Sequence, residues 1–456
     1  MKILVLLTNS AYLRNYFDTN IFSYLSKAHE LKFLKREKIQ TDKINDFYFD
    51  TYKNDPKHKL KTTFFDLSMN YHKDRSKYFG FRLKRFYRFD LRYLGELCLE
   101  NNEKEIIINK LKKVHVLVKN FFIFLFLNLL STKFFFYFIN IYFKKYSSPN
   151  EDLREKILNS GCDLILFPTN GYSPEVFDIL NISKKYKIKA HFISDNWDNL
   201  SSKMVFFNIP DKLYVWGQQT LEHAKYIHNM PKDKIVKIGS ARYKNFFLNR
   251  NKPLTSHFNH EYILFLGSSW AWDEEATLNE IDHIIQKNKS IFRDIKVVYR
   301  FHPFRQRKNK FNNHWKNIII DPQLSNEIKD DNRAWPDLNY YPSLIQNANF
   351  VIGGLTTMLI EATIFYKKYI AIAYDDGKSL LNQKNALSYF EHLKEIDTLS
   401  NLYICKNNKF LEKKIIEFQL NKSNLNKADI DKEREFFLSY DENNSFEKIL
   451  STNLTK

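Results

Sequence analysis

Glycine and cysteine are scarce in this sequence, and each scarcity excludes a class of protein. Only ten of the 456 residues are glycine, and no Gly-x-Gly-x-x-Gly pattern marks a dinucleotide site. The cysteines, Cys98, Cys162 and Cys405, are scattered, which argues against a cysteine-based zinc site and for a reducing compartment. Walker A, Gly-x-Ser-x-Gly and His-Glu-x-x-His patterns are also missing, so P-loop enzymes, triad hydrolases and zincins lack support.

The first residues lack a long apolar run. Residues 3–7 are apolar and polar residues follow, whereas a signal peptide needs a longer apolar core and a cleavage site of small residues. We therefore expect a first β-strand at this position and a cytoplasmic protein.

Positive charge, in contrast, is in excess. The chain has 71 basic and 52 acidic residues, which gives a formal net charge of +19. This excess predicts an anionic partner, either phosphorylated substrates, an anionic membrane or nucleic acid; the alternative is a solvated lysine-rich surface. No zinc-finger spacing or Arg/Gly tract favours nucleic acid, so we expect none as a partner.

Buried strands and amphipathic helices alternate along most of the chain. At this spacing the alternation indicates parallel, doubly wound sheets. A polar, proline-containing segment at 249–260 separates two such series. The sequence therefore predicts an α/β fold of two Rossmann-like domains that face each other across a cleft, residues 1–250 and residues 251–456, the second with a helical tail.

An irregular aromatic and basic insertion is predicted at about 37–150 in the first domain. Within it, residues 121–130 and 134–143 are almost wholly apolar, and lysines lie on both sides. A spanning helix needs about 20 apolar residues with few charges, but Lys133 lies at the middle of this stretch. We interpret residues 119–145 as contacting an anionic membrane surface; a buried helical pair and a true span are the alternatives.

A cluster of cationic side chains follows the strand predicted at 295–301. Arg300, His302 and Arg305 lie where the strand ends, and Pro303 stops it. A guanidinium pairs bidentately with phosphate and an imidazole donates a hydrogen bond to it. The pattern predicts a phosphate site, with a His-Pro turn and solvated arginines as the alternative.

A glycine turn and two hydroxyls follow another buried strand. Gly353 and Gly354 allow a backbone to approach a ligand closely. Thr356 or Thr357 is predicted to cap the next helix, whose free N–H groups attract anions. Glu361 lies one turn later, where its carboxylate can accept hydrogen bonds from a ribose diol. An ordinary threonine-capped helix is the alternative.

The first strand of the second domain also ends in small polar residues. Gly267, Ser268 and Ser269 follow it and are predicted to face the cleft. Small residues and hydroxyls suit a diphosphate, although a plain turn has the same composition.

Residues 195–199, with the sequence DNWDN, combine carboxylates, amides and an indole. An aromatic platform with flanking carboxylates is typical of sugar sites, and Asp195 or Asp198 is a candidate general base. An Asx-rich turn with a packed tryptophan is the alternative. The predicted acceptor-binding residues, from this loop and from the loop after the first strand, are Asn9, Arg14, Trp197 and Asn199.

These motifs together resemble a family. The resemblance is carried by the loop at 195–199 before a strand end at 216–217, the segment 238–242, the strand end at 300–303 and the loop-helix at 353–362. They are similar to GT-B-fold glycosyltransferases of bacterial surface polysaccharides. More distantly, they are similar to CDP-glycerol glycerophosphotransferases and to Kdo and sialic acid transferases with a His-Pro motif. The resemblance covers roughly residues 151–374 and the first strand.

The resemblance implies a transferase and assigns its residues. His302 and Arg300 would bind or protonate the donor phosphate, Thr356 and Thr357 would hold it, and Glu361 would take the ribose or sugar hydroxyls. No metal is expected, because the helix dipole and the cations would stabilise the leaving nucleotide, and no cofactor is expected beside the nucleotide-sugar substrate.

The expected activity is transfer of a sugar from a nucleotide-activated donor to a lipid-linked or surface glycan, in the synthesis of an envelope polysaccharide such as capsule or lipopolysaccharide. The expected location is the inner face of the cell membrane. Two alternatives stand beside it: a CDP-glycerol-type polyol-phosphate transferase, and a non-enzymatic basic protein that binds membrane or nucleic acid.

Overall fold

Two parallel β-sheets make up the framework of this computed structural model. The structure describes residues 1–41, 47–86, 147–268, 272–302, 314–326, 338–377, 382–421, 425–441 and 445–454, with parts of 114–145. The strands of the first sheet are β1 (Lys2–Leu7), β2 (Glu30–Arg36), β3 (Phe49–Tyr52), β4 (Leu164–Thr169), β5 (Lys189–Ser194), β6 (Lys212–Val215) and β7 (Ile235–Lys237). The strands of the second sheet are β8 (Tyr262–Leu266), β9 (Lys296–Arg300), β10 (Ile318–Ile320), β11 (Val351–Gly353), β12 (Tyr369–Ile372) and β13 (Leu402–Cys405).

The strand order is of the Rossmann type in both sheets. Within the described residues, the orders are β3-β2-β1-β4-β5-β6-β7 and β10-β9-β8-β11-β12-β13, with every pair parallel. The direction of winding reverses between β1 and β4 and between β8 and β11. Ligands of open α/β sheets bind at the carboxyl ends of strands beside such reversals.

Helices cover the sheets, and the central strands are apolar on both faces as this layering requires. The helices before β8 are α1 (Ile21–Leu25), α2 (His58–Met69), α3 (Lys77–Phe86), α4 (Lys133–Ile141), α5 (Glu151–Ser160), α6 (Glu175–Tyr186), α7 (Asn199–Ser202), α8 (Gln218–Tyr226) and α9 (Lys244–Asn249). Those after β8 are α10 (Glu274–Lys287), α11 (Lys289–Phe292), α12 (Pro322–Asn326), α13 (Tyr340–Gln346), α14 (Met358–Ile364), α15 (Gln383–Tyr389), α16 (Leu411–Leu420), α17 (Lys427–Phe437) and α18 (Phe446–Leu454).

One hydrophobic cluster joins the two halves of the chain. It contains Trp216, which follows β6 of the first sheet, together with Tyr262 and Tyr369 of the second sheet and Phe437 of α17. All four side chains are at most 1% exposed. The halves are therefore packed on each other through a shared core.

The structure differs from the sequence prediction at the end of the chain. Residues 251–456 were assigned to the second domain, but α18 packs against α1 on the first sheet. Phe446, Leu450 and Leu454 supply the contact, at helical spacing and at most 8% exposed. This amphipathic stripe needs an apolar surface to cover, and the first sheet provides it.

The predicted insertion is more regular than expected in the part that the structure describes. Strand β3 pairs with β2 at the edge of the first sheet, and α2 and α3 lie within the same interval. Residues 87–113 fall outside the described residues. Among the residues described, no helix is long and apolar enough to cross a membrane.

Candidate active site between the two sheets

A cavity of about 390 Å³ lies between the two sheets, at the carboxyl ends of their strands. Its walls come from loops after β1, β4 and β5 on one side and after β8, β9 and β11 on the other. The predicted site residues that line it are Asn9, Arg14, Asp195, Trp197, Asp198, Asn199, Gly267, Ser268, Arg300, His302, Thr356, Thr357 and Glu361. Residues more than 300 positions apart in sequence thus meet at one site.

Neighbouring strands bring together three predicted donor residues, Gly267, Arg300 and Gly353. Leu266 of β8 pairs with Arg300 of β9 and with Gly353 of β11, so the next residues of each strand share one edge. The Gly267 amide donates to the Arg300 carbonyl oxygen at 2.8 Å. A methyl group at Gly267 would lie 2.9 Å from the backbone nitrogen of His302.

The glycine turn packs on the protein itself. A methyl group at Gly353 would lie 2.5 Å from the Tyr369 hydroxyl, and one at Gly354 would lie 2.8 Å from the Gln383 amide nitrogen. Neither glycine lines the cavity. The expected close approach to a ligand is corrected: these glycines let the loop lie against its neighbours and bring Thr356 and Thr357 to the cavity.

Thr356 supplies the hydroxyl at the start of α14. Its Oγ1 accepts a hydrogen bond from the Met358 amide at 3.3 Å. Thr357 is the N-cap residue by position but its side chain makes no cap hydrogen bond. Both threonines are half-buried on the cavity wall.

Arg300 differs from the prediction of a phosphate ligand. Its side chain is 3% exposed and forms an ion pair with Asp321, which is fully buried. It also donates to Gln323 at 2.7 Å, and the Tyr341 ring lies 4.4 Å from its guanidinium. The guanidinium is therefore engaged inside the second domain, because a buried cation needs a partner.

Asp195 is a buried carboxylate directly after β5. Its Oδ1 accepts a hydrogen bond from Asn15 Nδ2 at 2.9 Å. Burial raises its pKa above the ordinary value, and this effect outweighs those of Arg242, Asn15 and Arg14 nearby. A cleft carboxylate with a raised pKa is suited to take up a proton.

Asp198, the second candidate base, is held as an anion. Its Oδ2 lies 2.8 Å from Lys203 Nζ and accepts from the Ser202 hydroxyl at 3.1 Å. Burial alone would raise the pKa of this carboxyl, but Lys203 and His392 bring it below the ordinary value. The contacts of Asp198 therefore favour a positioning role over proton transfer.

Trp197 and Asn199 belong to the packing of this loop. The indole is 2% exposed, and its ring centroid lies 4.9 Å from that of His392 and 6.0 Å from that of Phe437. Asn199 is fully buried and donates to the Thr169 carbonyl oxygen at 3.4 Å. The expectation of an open aromatic platform is corrected: only the edge of this cluster reaches the cavity.

The loop after β1 supplies polar groups to the opposite wall. Asn9 accepts from the Ala11 amide at 2.9 Å and so shapes the loop. Arg14 donates to Asn15 Oδ1 at 3.3 Å. The charge of Arg14 lies close to the carboxylates of both Asp195 and Glu361.

The prediction missed a group that joins the two sides of the cleft. Arg242 donates to the Tyr243 hydroxyl at 2.6 Å, and that hydroxyl donates to Glu361 at 3.2 Å. The Arg242 guanidinium also lies 4.8 Å from the centroid of the Trp216 ring. Burial raises the pKa of Glu361, against the effect of Arg242. The segment 238–242 is part of the sequence resemblance, but only the structure shows that Arg242 lies on the wall of the cleft.

Two predicted donor residues, Ser269 and Arg305, lie outside the described residues. Where the chain is described, no group of three or more histidine, cysteine, aspartate or glutamate side chains is arranged to hold a metal ion. Two aspartates follow β12. Asp375 accepts a hydrogen bond from the Asn382 side chain, and Asp376 accepts one from the Asp273 amide.

Comparison with solved structures identifies the architecture. The glycotransferase of kitacinnamycin aligns over 100% of this chain and 98% of its own, with a TM-score of 0.51 and 9% sequence identity. The chain has the GT-B fold. The predicted fold class, two Rossmann-like domains facing across a cleft, is thereby confirmed; an identity this low shows the fold alone.

Two further solved structures align over most of their length. UDP-GlcNAc 2-epimerase from Methanocaldococcus jannaschii aligns with a TM-score of 0.49 and 12% identity, over 100% of both chains. The wall teichoic acid polymerase TagF, an H444N variant with CDPG, aligns with a TM-score of 0.46 and 10% identity, over 99% of this chain and 88% of its own. Their scores lie below 0.5 and add nothing to the assignment of the GT-B fold. No protein-family profile and no curated protein matches the sequence.

Proposed function

We propose that this protein is a glycosyltransferase that moves a sugar from a nucleotide-activated donor to a glycan or lipid-linked acceptor. The observation that carries the proposal is the position of Asp195, a buried carboxylate of raised pKa on the cleft wall opposite His302 and Thr356. A base on one wall and anion-binding groups on the other are what group transfer between two substrates requires.

The donor would bind on the second sheet. His302 and the hydroxyls of Thr356 and Thr357 would contact the phosphates, and Ser268 lies on the same wall. Glu361 would accept hydrogen bonds from hydroxyls of the nucleoside or sugar, with Tyr243 holding its carboxylate in place.

The transfer step would use Asp195 as the general base. Asp195 takes the proton of the acceptor hydroxyl while that oxygen forms a bond to the anomeric carbon and the bond from that carbon to the phosphate oxygen breaks. The electron pair leaves with the nucleotide, whose charge His302 and Arg242 would stabilise. Asn15 orients the base through its 2.9 Å hydrogen bond.

A nucleotide screen by thermal shift tests the donor site. UDP, CDP, CMP, GDP and TDP are each added to the purified chain, and one of them is expected to raise the melting temperature in a concentration-dependent way. His302→Ala should reduce this shift. His260→Ala is the matched control, since His260 is exposed and precedes β8 at the opposite edge of the sheet.

A lack of any shift with every nucleotide would reject the donor site. Once a donor is known, the product is analysed for phosphorus. A product with a new phosphodiester would support the polyol-phosphate alternative, and a product with a new glycosidic bond would support sugar transfer.

We also propose that the protein docks on an anionic membrane through an apolar surface formed by those residues of 114–141 that the structure describes. On α4, the exposed side chains Phe134, Tyr137, Phe138 and Ile141 recur at helical spacing along one face. Ile139 faces the protein and is 1% exposed. The helical residues before α4 add the exposed side chains Val114, Val118, Phe121, Phe122, Leu125, Phe126 and Leu129.

Charge and size both favour a membrane as the partner of this surface. Lys119, Lys133 and Lys145 are exposed beside it, where they can contact anionic headgroups. An exposed apolar surface of this extent is rare on a protein without a partner. An acceptor carried on a lipid would lie at the same surface.

Vesicle sedimentation tests the docking. The protein should sediment with vesicles of phosphatidylcholine and phosphatidylglycerol, less with phosphatidylcholine alone, and less at high salt. Replacing Phe134 and Phe138 together by serine should weaken sedimentation at least fivefold. Tyr48→Ser should leave sedimentation unchanged, because Tyr48 is an aromatic residue, 85% exposed, outside this surface. A wild-type protein that stays in the supernatant with both vesicles would reject membrane docking.

A further inference from the structure

A second cavity, of about 310 Å³, lies on the other side of segment 390–395 from the active site. Phe390 and His392 of this segment line the first cavity, whereas Glu391, Lys394 and Glu395 line the second. The opposite wall is the face of α8. A volume of this size is at the lower end of the range for small-ligand pockets, roughly 300–1,000 Å³.

Two buried side chains of α8 line this cavity. Gln219 is 3% exposed and its amide nitrogen donates to the carbonyl oxygens of His392 and Lys394, at 3.2 and 3.1 Å. Its Oε1 has no hydrogen-bond partner within the described residues. His223 is 8% exposed, and its Nδ1 also lacks a partner there. Both atoms are enclosed by the protein, so hydrogen bonds to a ligand must come from the exposed polar groups of the rim.

The rim of the cavity restricts the class of ligand. Arg75 and Lys394 provide two cations, and Glu222, Glu391 and Glu395 provide three carboxylates. Because these charges nearly balance, a strongly anionic or cationic ligand gains little. Donors and acceptors are instead mixed over a short distance, as a ligand with several hydroxyls requires.

An exposed aromatic ring, with Lys225 Nζ 5.0 Å from its centroid, completes the lining. Tyr226, at the end of α8, is 62% exposed although it borders the cavity, and Ile227 beside it is buried. An exposed ring with an apolar wall offers a surface for the C–H face of a sugar ring, while its hydroxyls reach the polar rim.

We propose that this cavity binds a neutral sugar and is a second carbohydrate site, separate from the active site. The site does not depend on the proposed catalysis, since it shares no lining residue with the active-site cavity. The segment between the cavities links them: Gln219 holds the backbone of His392, whose ring nitrogen contacts the Ser201 hydroxyl at 3.3 Å.

Saturation-transfer NMR with free sugars tests the site. Glucose, galactose, N-acetylglucosamine and lactose are each titrated into the full chain, and at least one should bind saturably at millimolar concentration. Tyr226→Ala should weaken that binding at least fivefold, and Glu222→Ala should weaken it as well. Tyr48→Ala is the matched control, because Tyr48 is an exposed tyrosine that lines neither cavity.

The titration is repeated with a saturating nucleotide to separate the two cavities. Sugar that stays bound beside the nucleotide supports the second site. Displacement by the nucleotide, equal binding to Tyr226→Ala, or no binding of any sugar to the wild type would each overturn the proposal. A nucleotide that shifts the melting temperature in the same sample would leave the proposed catalysis standing in all three cases.

Discussion

Individual charged residues in the cleft fall into two groups according to their partners. Arg300 and Asp198 are held by Asp321 and Lys203 within their own domains. Asp195 and Glu361 have raised pKa values, and the guanidinium of Arg242 lies near both. The first group stabilises the walls of the cleft, and the second can respond to a substrate.

Arg300→Ala should destabilise the protein strongly. The substitution leaves Asp321 as a buried carboxylate without its cation, which costs about 3–5 kcal/mol. Urea denaturation measures the free energy of unfolding. Arg154→Ala is the control, because Arg154 pairs with an exposed Glu151 and should change this free energy by no more than about 0.5 kcal/mol. Similar values for both variants would contradict the assignment of Arg300 to the core.

Asp195→Asn should lower kcat by about 10²–10⁴-fold and leave the thermal shift by nucleotide nearly unchanged, because the amide keeps the shape but cannot take a proton. In the wild type, the raised pKa of Asp195 means that the base is protonated on acidification at a pH above that of an ordinary aspartate, about 3.9. The logarithm of kcat/KM should therefore fall on the acid side from a pH above this value. A full rate in the variant would reject Asp195 as the base.

Whole elements were easier to predict than the environment of their residues. The strands before Asp195 and His302 are short segments in which apolar residues alternate or group with a few polar ones, and this pattern was enough to place both residues at strand ends from the sequence. Which neighbour each side chain meets depends on strand order, which a single sequence does not contain. The burial of Trp197 against Phe437, 240 positions later, follows only from the packing of α17.

Leu450→Ala should test the return of α18 to the first sheet. Leu450 is fully buried between α18 and the first sheet, and loss of its side chain should cost about 2–5 kcal/mol. Leu420→Ala, at the exposed end of α16, should cost about 0.5 kcal/mol or less. Both values come from urea denaturation, and equal effects would contradict the docking of α18.

At the scale of the whole molecule, buried neutral histidines should make stability depend on pH. Burial lowers the pKa of His223 to about 3 and those of His228 and His392 to about 4, while in the unfolded chain each is near 6.5. Between these values the unfolded state binds more protons, so stability should fall as pH decreases from about 6.5 towards 4.

The size of this effect can be measured. Each such histidine should remove about 1.4 kcal/mol of stability per pH unit in that window. Urea midpoints at pH 7.5, 6.0 and 5.0 should decrease in that order, and His223→Gln should make the decrease less steep. A midpoint that rises on acidification would contradict the burial of these groups in their neutral form.

The docking of α18 also bears on how the protein is made. Synthesis proceeds from the amino end, and domains generally fold as they emerge from the ribosome. Here the helix that covers α1 is formed by residues 446–454, which follow all the strands of both sheets in the sequence. The first sheet therefore keeps an uncovered apolar surface until residues 446–454 have been synthesised, after both sheets, and a truncation before residue 446 would damage the domain that was synthesised first.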